Sequence, residues 1–324
     1  MTAWRQHRYG GPEAVVDETV AVPAPGPGEV LLRVRATALN AGDVHVMRGD
    51  PLLVRPAFGL RRPRVAVRGM DVAGTVVAVG AGAAGFAVGD EVVGELPSGG
   101  LASFAVAPAA RLVARPAALD PVAAAALPVA GGTAWRAVGA ADAAAGLRVL
   151  VLGAGGGVGT FTVRLATLRG AEVWATCGAR AEGIVAGLGA ARTFDHRRVG
   201  PGDPALPAGS FDAVVDVAGT APLAALERLV RPGGTVVLVS GAGGPVLGPV
   251  GRMARAALRG LVSRRRFRMI AATADAGILA ELVALAGGGE LVPVVERTHP
   301  LAEARVALAH VDAGHAVGKT VVLG

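Results

Sequence analysis

Cysteine, lysine and aromatic side chains are almost missing from this sequence. The single cysteine, Cys177, excludes an intramolecular disulfide framework and any zinc site built from several thiolates. Aromatic residues make up 3% of the chain, too few to form the stacking platforms of a nucleic-acid binder. Lys319 is the only lysine, so 31 of the 32 basic residues are arginine. Together with 49 glycines and abundant Ala and Val, that usage reads as a coding bias. The formal charge of +7 and the pI near 11.1 are then read as a solvated basic face with packed arginine stems, not as a nucleic-acid or membrane surface. Long runs of large apolar residues are lacking as well. The longest uncharged stretches, Val72–Gly89 and Pro232–Gly251, are threaded with glycine, and a spanning helix needs about 20 mostly large apolar residues. The opening residues, Met1-Thr2-Ala3-Trp4-Arg5, carry no apolar core of a signal peptide. A cytoplasmic protein with no membrane partner is expected.

What is present suits a folded chain. Hydrophobic residues are 52%, charged residues 18% and mean hydropathy is +0.51, which excludes a disordered chain. With 324 residues there is room for two ordinary domains or one large one. Up to about residue 120, short Val-rich runs at Glu29–Arg35, Val72–Val79, Glu91–Val93, Ser103–Val106 and Arg111–Val113 stand between Gly and Pro, as strands of a barrel or sandwich do. Asn40–Arg48 is the one helix expected there. At Asp120-Pro121 a helix start begins an Ala-rich stretch running to about Ala140. Beyond it strands and helices alternate, which predicts right-handed crossovers and a parallel sheet covered on both faces. After Pro249 comes an Arg-rich amphipathic segment, Arg252–Arg268. Its Arg264-Arg265-Arg266 run is either a solvated helix end or a contact for an anionic ligand. The tail reads as strand (Met269–Ala272), helix (Asp275–Ala286), strand (Leu291–Val295), helix (Leu301–Ala313) and final strand (Lys319–Leu323).

The sharpest local signal is the strand Val149-Leu150-Val151-Leu152 running into Gly153-Ala154-Gly155-Gly156-Gly157-Val158-Gly159 and then a helix. Bare backbone N–H groups at a helix N-terminus accept a pyrophosphate without side-chain clashes, so Gly153, Gly156, Gly157, Val158 and Gly159 are candidate dinucleotide contacts. No Gly-Lys-Ser/Thr follows, which excludes a Walker loop. After the next strand, Val173-Trp174-Ala175-Thr176-Cys177-Gly178-Ala179-Arg180 offers no carboxylate for a ribose 2′-hydroxyl. Arg180, with His196 and Arg197 after the following strand, can place positive charge near a 2′-phosphate. NADPH is favoured and NADH stays possible; the plain alternative makes Arg180 an ordinary residue of a helix's first turn.

The order of these parts resembles the medium-chain dehydrogenase/reductases, in their zinc-independent, quinone-oxidoreductase-like branch. The resemblance spans nearly the whole chain. It is carried by Asn40-Ala41-Gly42-Asp43, by Gly69-Met70-Asp71-Val72-Ala73-Gly74 with Val79-Gly80, and by Gly85-Phe86-x-x-Gly89-Asp90-Glu91-Val92. Ala130-Gly131-Gly132-Thr133-Ala134, the glycine loop, Phe211-Asp212 to Asp216 and Gly314-His315-Ala316-Val317-Gly318-Lys319 complete it. It implies an α/β chain: a GroES-like β-rich catalytic domain (1–121 and 263–324) and an inserted Rossmann domain with a doubly wound parallel sheet (122–262). It also implies that Thr133, Ser240 and Lys319 join the cofactor contacts, and that the chain forms a homodimer through the nucleotide domain.

Zinc members of that family carry ligands where this chain has Asn40, Met70 and a residue near Val129, and none of these supplies a thiolate or imidazole. No metal is therefore expected. The resemblance implies hydride transfer from NADPH to a small-molecule quinone or α,β-unsaturated carbonyl compound, whose oxygen needs a hydrogen-bond donor and a proton. Asn40 is the candidate donor and His45 the candidate acid, with a satisfied helix histidine as its rival reading. Asp43 is a third candidate, or a carboxylate that only orients the helix. Two departures stand out: Gly178 replaces a serine frequent in NADPH-binding members, and an arginine common in the final motif is absent. Alternatives kept open are an alcohol dehydrogenase or enoyl-thioester reductase, and a non-enzymatic NADPH-binding protein. Asp50–Arg64 reads as a long loop, either a substrate lid or a surface excursion.

Overall fold

The computed structural model describes residues 1–240 and 246–324. They divide into two units, one made of Met1–Gly132 with Thr273–Gly324 and one of Thr133–Ala272. Both breaks fall later than the expected 121 and 262. The first turn of the helix after Pro128 is hydrogen-bonded into the first unit, and the strand after residue 262 completes the second unit's sheet.

The first unit opens with an antiparallel pair, β1 (Thr2–Gln6) and β2 (Val15–Thr19), that hydropathy does not reveal because Arg5, Asp17 and Glu18 interrupt it. The longest strand, β3 (Glu29–Leu39), leads into helix α1 (Ala41–Arg48). The 50–64 segment is more than a loop. It contains helix α2 (Arg55–Phe58) and is pinned by Arg55, whose guanidinium lies 4.6 Å from the centre of the Tyr9 ring, and by the Tyr9 hydroxyl, which donates to the Gly59 carbonyl. Strands β4 (Asp71–Val79), β5 (Glu91–Glu95), β6 (Phe104–Pro108) and β7 (Leu112–Ala114) follow. The helix expected from Asp120 to Ala140 is two: α3 (Pro121–Ala125), capped by Asp120, and α4 (Pro128–Ala140). Pro128 has no N–H to continue the ladder, so the chain restarts there.

In the second unit β8 (Arg148–Leu152), α5 (Gly157–Leu168), β9 (Glu172–Cys177), α6 (Glu182–Gly187), β10 (Arg192–Asp195), β11 (Phe211–Asp216), α7 (Leu223–Leu229), β12 (Val230–Leu238), α8 (Val250–Val262) and β13 (Arg266–Met269) alternate. All six strands run parallel in the order β10-β9-β8-β11-β12-β13. The expected strand at Met269–Ala272 is displaced to β13. Only Phe267 there turns partly inward, and Arg266 and Arg268 mask the signal by facing solvent at the sheet edge. On one face of this sheet Leu150, Trp174, Phe211, Val214 and Leu226 are buried together, and the Trp174 and Phe211 rings meet edge-on at 5.4 Å; the alternate residues Val151, Val173 and Val215 are buried as well.

The chain then returns to the first unit with α9 (Ala276–Gly287), β14 (Val295–Pro300), α10 (Ala304–Asp312) and β15 (Lys319–Leu323). The expected strand at 291–295 is shifted, since β14 pairs through its backbone with β15 while its polar side chains stay mostly outside. The first unit's main sheet runs β14-β15-β3-β4-β5-β7, with β6 paired to β3. Among the described residues no helix is long and apolar enough to cross a membrane.

Phe211 is fully buried and its ring has no polar atom to rescue. Phe211→Ala should destabilise the second unit by about 3–5 kcal/mol, read as an earlier urea transition. A loss below about 1 kcal/mol would show that the core is looser than this packing.

Candidate functional site

The second unit carries a glycine loop that leads from a strand end into a helix N-terminus. In a parallel sheet every strand ends at one edge, and here the order reverses between β8 and β11, the crevice where such sheets bind nucleotides. The loop between β8 and α5 fills that place. Gly153 has φ +83°, and a Cβ there would come 2.9 Å from the Ala218 nitrogen. A Cβ on Gly159 would lie 2.2 Å from the Gly153 carbonyl oxygen, so only glycine lets the turn close on the start of α5. Gly156 is the N-cap of α5, with Gly157 and Val158 in its first turn. Thr133 is buried in α4.

Of the other expected cofactor residues, Arg180, His196, Arg197 and Ser240 stand at the same sheet edge. Arg180 is exposed in a single 3-10 turn just after β9. Cys177 and Asp195 pair in register, so His196 and Arg197 follow β10 alongside Gly178, with His196 Nδ1 3.0 Å from the Cys177 carbonyl oxygen. The Asp195 carboxylate is occupied by the Arg197 backbone N–H at 3.0 Å. Burial, reinforced by the charges of Glu182 and Asp195, pushes the Cys177 thiol up to about 11, which leaves it a packing residue. Ser240 is exposed beyond β12, at the border of the described residues. Asp216 at the end of β11 was legible only as a motif residue. It accepts from the Gly219 N–H at 2.9 Å and from Arg252 of α8 at 2.5 Å, and Arg252 also donates to the Gly219 carbonyl.

In the first unit a buried polar network gathers around Asp71, a residue that sequence reasoning did not single out for a role. Its carboxylate is fully buried. One oxygen accepts from the Val129 backbone N–H at 2.9 Å; the other accepts from Asn40 Nδ2 at 2.9 Å and Lys319 Nζ at 3.1 Å. Lys319 Nζ also donates to the Asn40 side-chain oxygen, closing a triangle of ammonium, carboxylate and amide. Lys319 was expected at the cofactor, but its charge is spent here instead. A lone lysine in a chain of arginines was the available signal: a compact ammonium suits a buried point contact, whereas a guanidinium brings five donors to satisfy.

Asp43 lies beside this network and holds the backbone that shapes it. It accepts from the Asn40 N–H at 2.9 Å, reaching back across the first turn of α1, and from the Gly69 N–H at 2.8 Å just before β4. It is therefore a positioning carboxylate. Burial is the main cause that raises it from 3.8 to about 6; the two N–H groups and Arg68 oppose that rise and the Asp71 charge adds to it. His45 is not brought to this network. Two residues beyond Asp43 is about 200° around a helix, and His45 sits exposed with Nδ1 3.0 Å from the Asp50 carbonyl oxygen.

Of the three positions where zinc relatives carry ligands, Asn40 has its amide engaged by Asp71 and Lys319, Met70 offers a thioether, and Val129 a backbone N–H. An ammonium bonded into the group disfavours a second cation. These residues do not fit a zinc ion. Among the described residues no group of three or more His, Cys, Asp or Glu side chains is placed to hold a metal.

Residues 26–117 match the alcohol dehydrogenase GroES-like domain, and residues 188–322 match the family described as zinc-binding dehydrogenase. The chain is 36% identical to the chloroplast envelope quinone oxidoreductase homolog of Arabidopsis thaliana, over 99% of this chain and 98% of that protein. The chain belongs to the medium-chain dehydrogenase/reductase family, in its quinone-oxidoreductase-like branch. It is also 32% identical to the mitochondrial NAD(P)H oxidoreductase RTN4IP1 of Mus musculus, over 99% of this chain and 89% of that one. Among solved structures, a mycobacterial protein complexed with NADPH superposes with a TM-score of 0.84 at 27% identity, covering 100% of both chains. The quinone oxidoreductase from Coxiella burnetii shares the fold at a TM-score of 0.89, with 100% of this chain and 99% of that chain covered at 23% identity.

Two outcomes follow. Lys319→Met strands Asp71 without its cation, and should cost about 3–5 kcal/mol in urea unfolding; a cost under 1 kcal/mol would mean the pair is not load-sharing. Asp43 titrates higher folded than unfolded, so its stabilising proton is fully bound below about pH 4 and lost as pH rises to about 6. The stability difference between wild type and Asp43→Asn should fall by about 3 kcal/mol across that window. A flat difference would contradict the burial of the charge.

Proposed function

We propose that this enzyme reduces quinones or α,β-unsaturated carbonyl compounds with NADPH and without a metal. The observation that carries the reading is the Asn40–Asp71–Lys319 network, in which an amide and an ammonium donate to a buried carboxylate at and beside Asn40, one of the positions where zinc relatives carry a ligand. Names of relatives at 32–36% identity, quinone oxidoreductase and NAD(P)H oxidoreductase, support the reaction class. The NADPH-bound relative, and a β9 end with arginine in place of a carboxylate, support the cofactor.

Gly153, Gly156, Gly157, Val158 and Gly159 would hold the diphosphate, with Arg180, His196 and Arg197 toward a 2′-phosphate; Thr133 and Ser240 remain proposed contacts. Bound NADPH supplies the hydride. The chain itself supplies polarisation. Asn40 Nδ2 carries two hydrogens and Asp71 takes one, so the second serves the substrate oxygen as charge develops there. Lys319 on the amide oxygen withdraws electron density from that N–H and strengthens it as a donor. Asp43 fixes the backbone of Asn40 in the required place. We assign the proton to solvent and read His45 as part of the C-terminal turn of α1. By family resemblance the enzyme is read as a homodimer.

Purified protein with NADPH and a panel of quinones, enones, enoyl-thioesters and aldehydes decides the class. Nicotinamide absorbance should fall with quinones or enones; turnover confined to aldehydes, or binding without turnover, overturns the reading. Asn40→Ala should lower kcat by about 10²–10³-fold, the usual loss of an oxyanion donor, with NADPH affinity retained. His45→Ala should leave kcat within about twofold; a large drop would restore it as the acid. Arg180→Ala should weaken NADPH by about ten- to hundredfold and leave NADH unchanged.

A further inference from the structure

Helix α8 turns its underside into the second unit and its apolar side to water. Arg252 and Ala256 are buried, Arg252 anchored on Asp216 and on the Gly219 carbonyl. At about 100° per residue, Val250, Leu258 and Leu261 fall on the outward side, with Met253 and Val262 on its flanks. Leu258 is 66% exposed, Leu261 81% and Val262 85%. Single exposed leucines need no explanation, but a continuous apolar helix face marks an interaction site.

The charge around that face has one sign. Between Arg252 and Arg268 the sequence holds seven arginines and no Asp or Glu. Carboxylates elsewhere in the unit absorb part of it: Asp216 takes Arg252, Glu227 takes Arg259, and Asp142 takes Arg266. Arg255 donates to the Gly251 carbonyl of its own helix, and Arg264 and Arg268 are exposed. Cations thus border the stripe, and the segment brings no counter-charge of its own.

We propose that α8 docks this enzyme on the surface of an anionic lipid bilayer. The apolar side enters the boundary between headgroups and acyl chains while the arginines meet lipid phosphates. Thirteen residues span only about 20 Å, so the helix lies in the interface and does not cross. A second copy is a poorer occupant: a two-fold contact sets the arginines of the patch against those of its copy, and the carboxylates beside them, Glu227 and Asp142, are already paired within the chain. A nucleic acid would use the charge and leave Leu258 and Leu261 in water. The expectation of no membrane partner rested on the lack of a spanning apolar run and on reading the arginines as a coding bias, and neither considers the face of a single helix.

Flotation of the full-length protein with phosphatidylcholine vesicles, with and without equal phosphatidylserine, tests the assignment. Binding should require phosphatidylserine and weaken with salt. Leu258→Ser with Leu261→Ser should lower the partition coefficient at least tenfold, and Arg255→Gln alone about fivefold. These residues are exposed, so an unchanged circular dichroism spectrum and melting temperature are expected to accompany both losses. No binding at low salt, equal binding to neutral vesicles, or binding indifferent to the two serines overturns the proposal. So does sedimentation showing that the double variant splits a dimer.

Discussion

A buried carboxylate cannot stay charged alone, and the first unit is organised by how Asp71 is satisfied. Its partners come from three stretches distant in sequence from its own β4: the end of β3 through Asn40, the start of α4 through the Val129 N–H, and the last strand through Lys319. A buried ion pair of this kind contributes little net stability against a hydrophobic replacement, because desolvation offsets most of the attraction. What it does supply is geometry. The register of β15 on β3 brings Lys319 level with the end of that strand, next to Asn40, and a slip by one residue would turn its ammonium to the other face. The Asn40 amide is therefore held by strand pairing as well as by its own turn.

The second unit solves a different problem, bringing backbone N–H groups to a charged ligand. Close contacts at Gly153 and Gly159 leave no room for a Cβ, and Asp216 with Arg252 fixes the neighbouring strand end and the root of α8. Burial raises the Asp216 carboxyl, opposed by the Gly219 N–H and by Arg252. One helix thus has its inner face committed to the sheet edge that carries the glycine loop and leaves Leu258 and Leu261 of its outer face exposed.

Much of the fold was legible in residue order. Continuous apolar runs such as Val149–Leu152 mark parallel strands, and Gly153 to Gly159 between strand and helix marks the cradle. Elements with weak apolar signals were harder: β1 and β2 are interrupted by charges, β14 is polar, and β13 has its inward Phe267 between two outward arginines. Pro128 hid as one more residue of an Ala-rich helix. At the site, Asn40 and Asp43 were reached through the family resemblance of the Asn40-Ala41-Gly42-Asp43 motif. Asp71 was not, because its role exists only once β4, α4 and β15 meet; Lys319 was noticed, but its partner lies 248 positions away. His45 looked suitable by residue type, and helical geometry turns it outward.

In the mechanism we propose, hydrogen-bond donors organised by Asp71 and Lys319 do here what a metal ion does in zinc relatives. Elemental analysis of the purified enzyme, paired with quinone turnover before and after dialysis against a strong chelator, tests this directly. The prediction is far less than one zinc per chain and full turnover after dialysis. One tightly held zinc per chain, with activity lost on its removal and regained on its return, would contradict it.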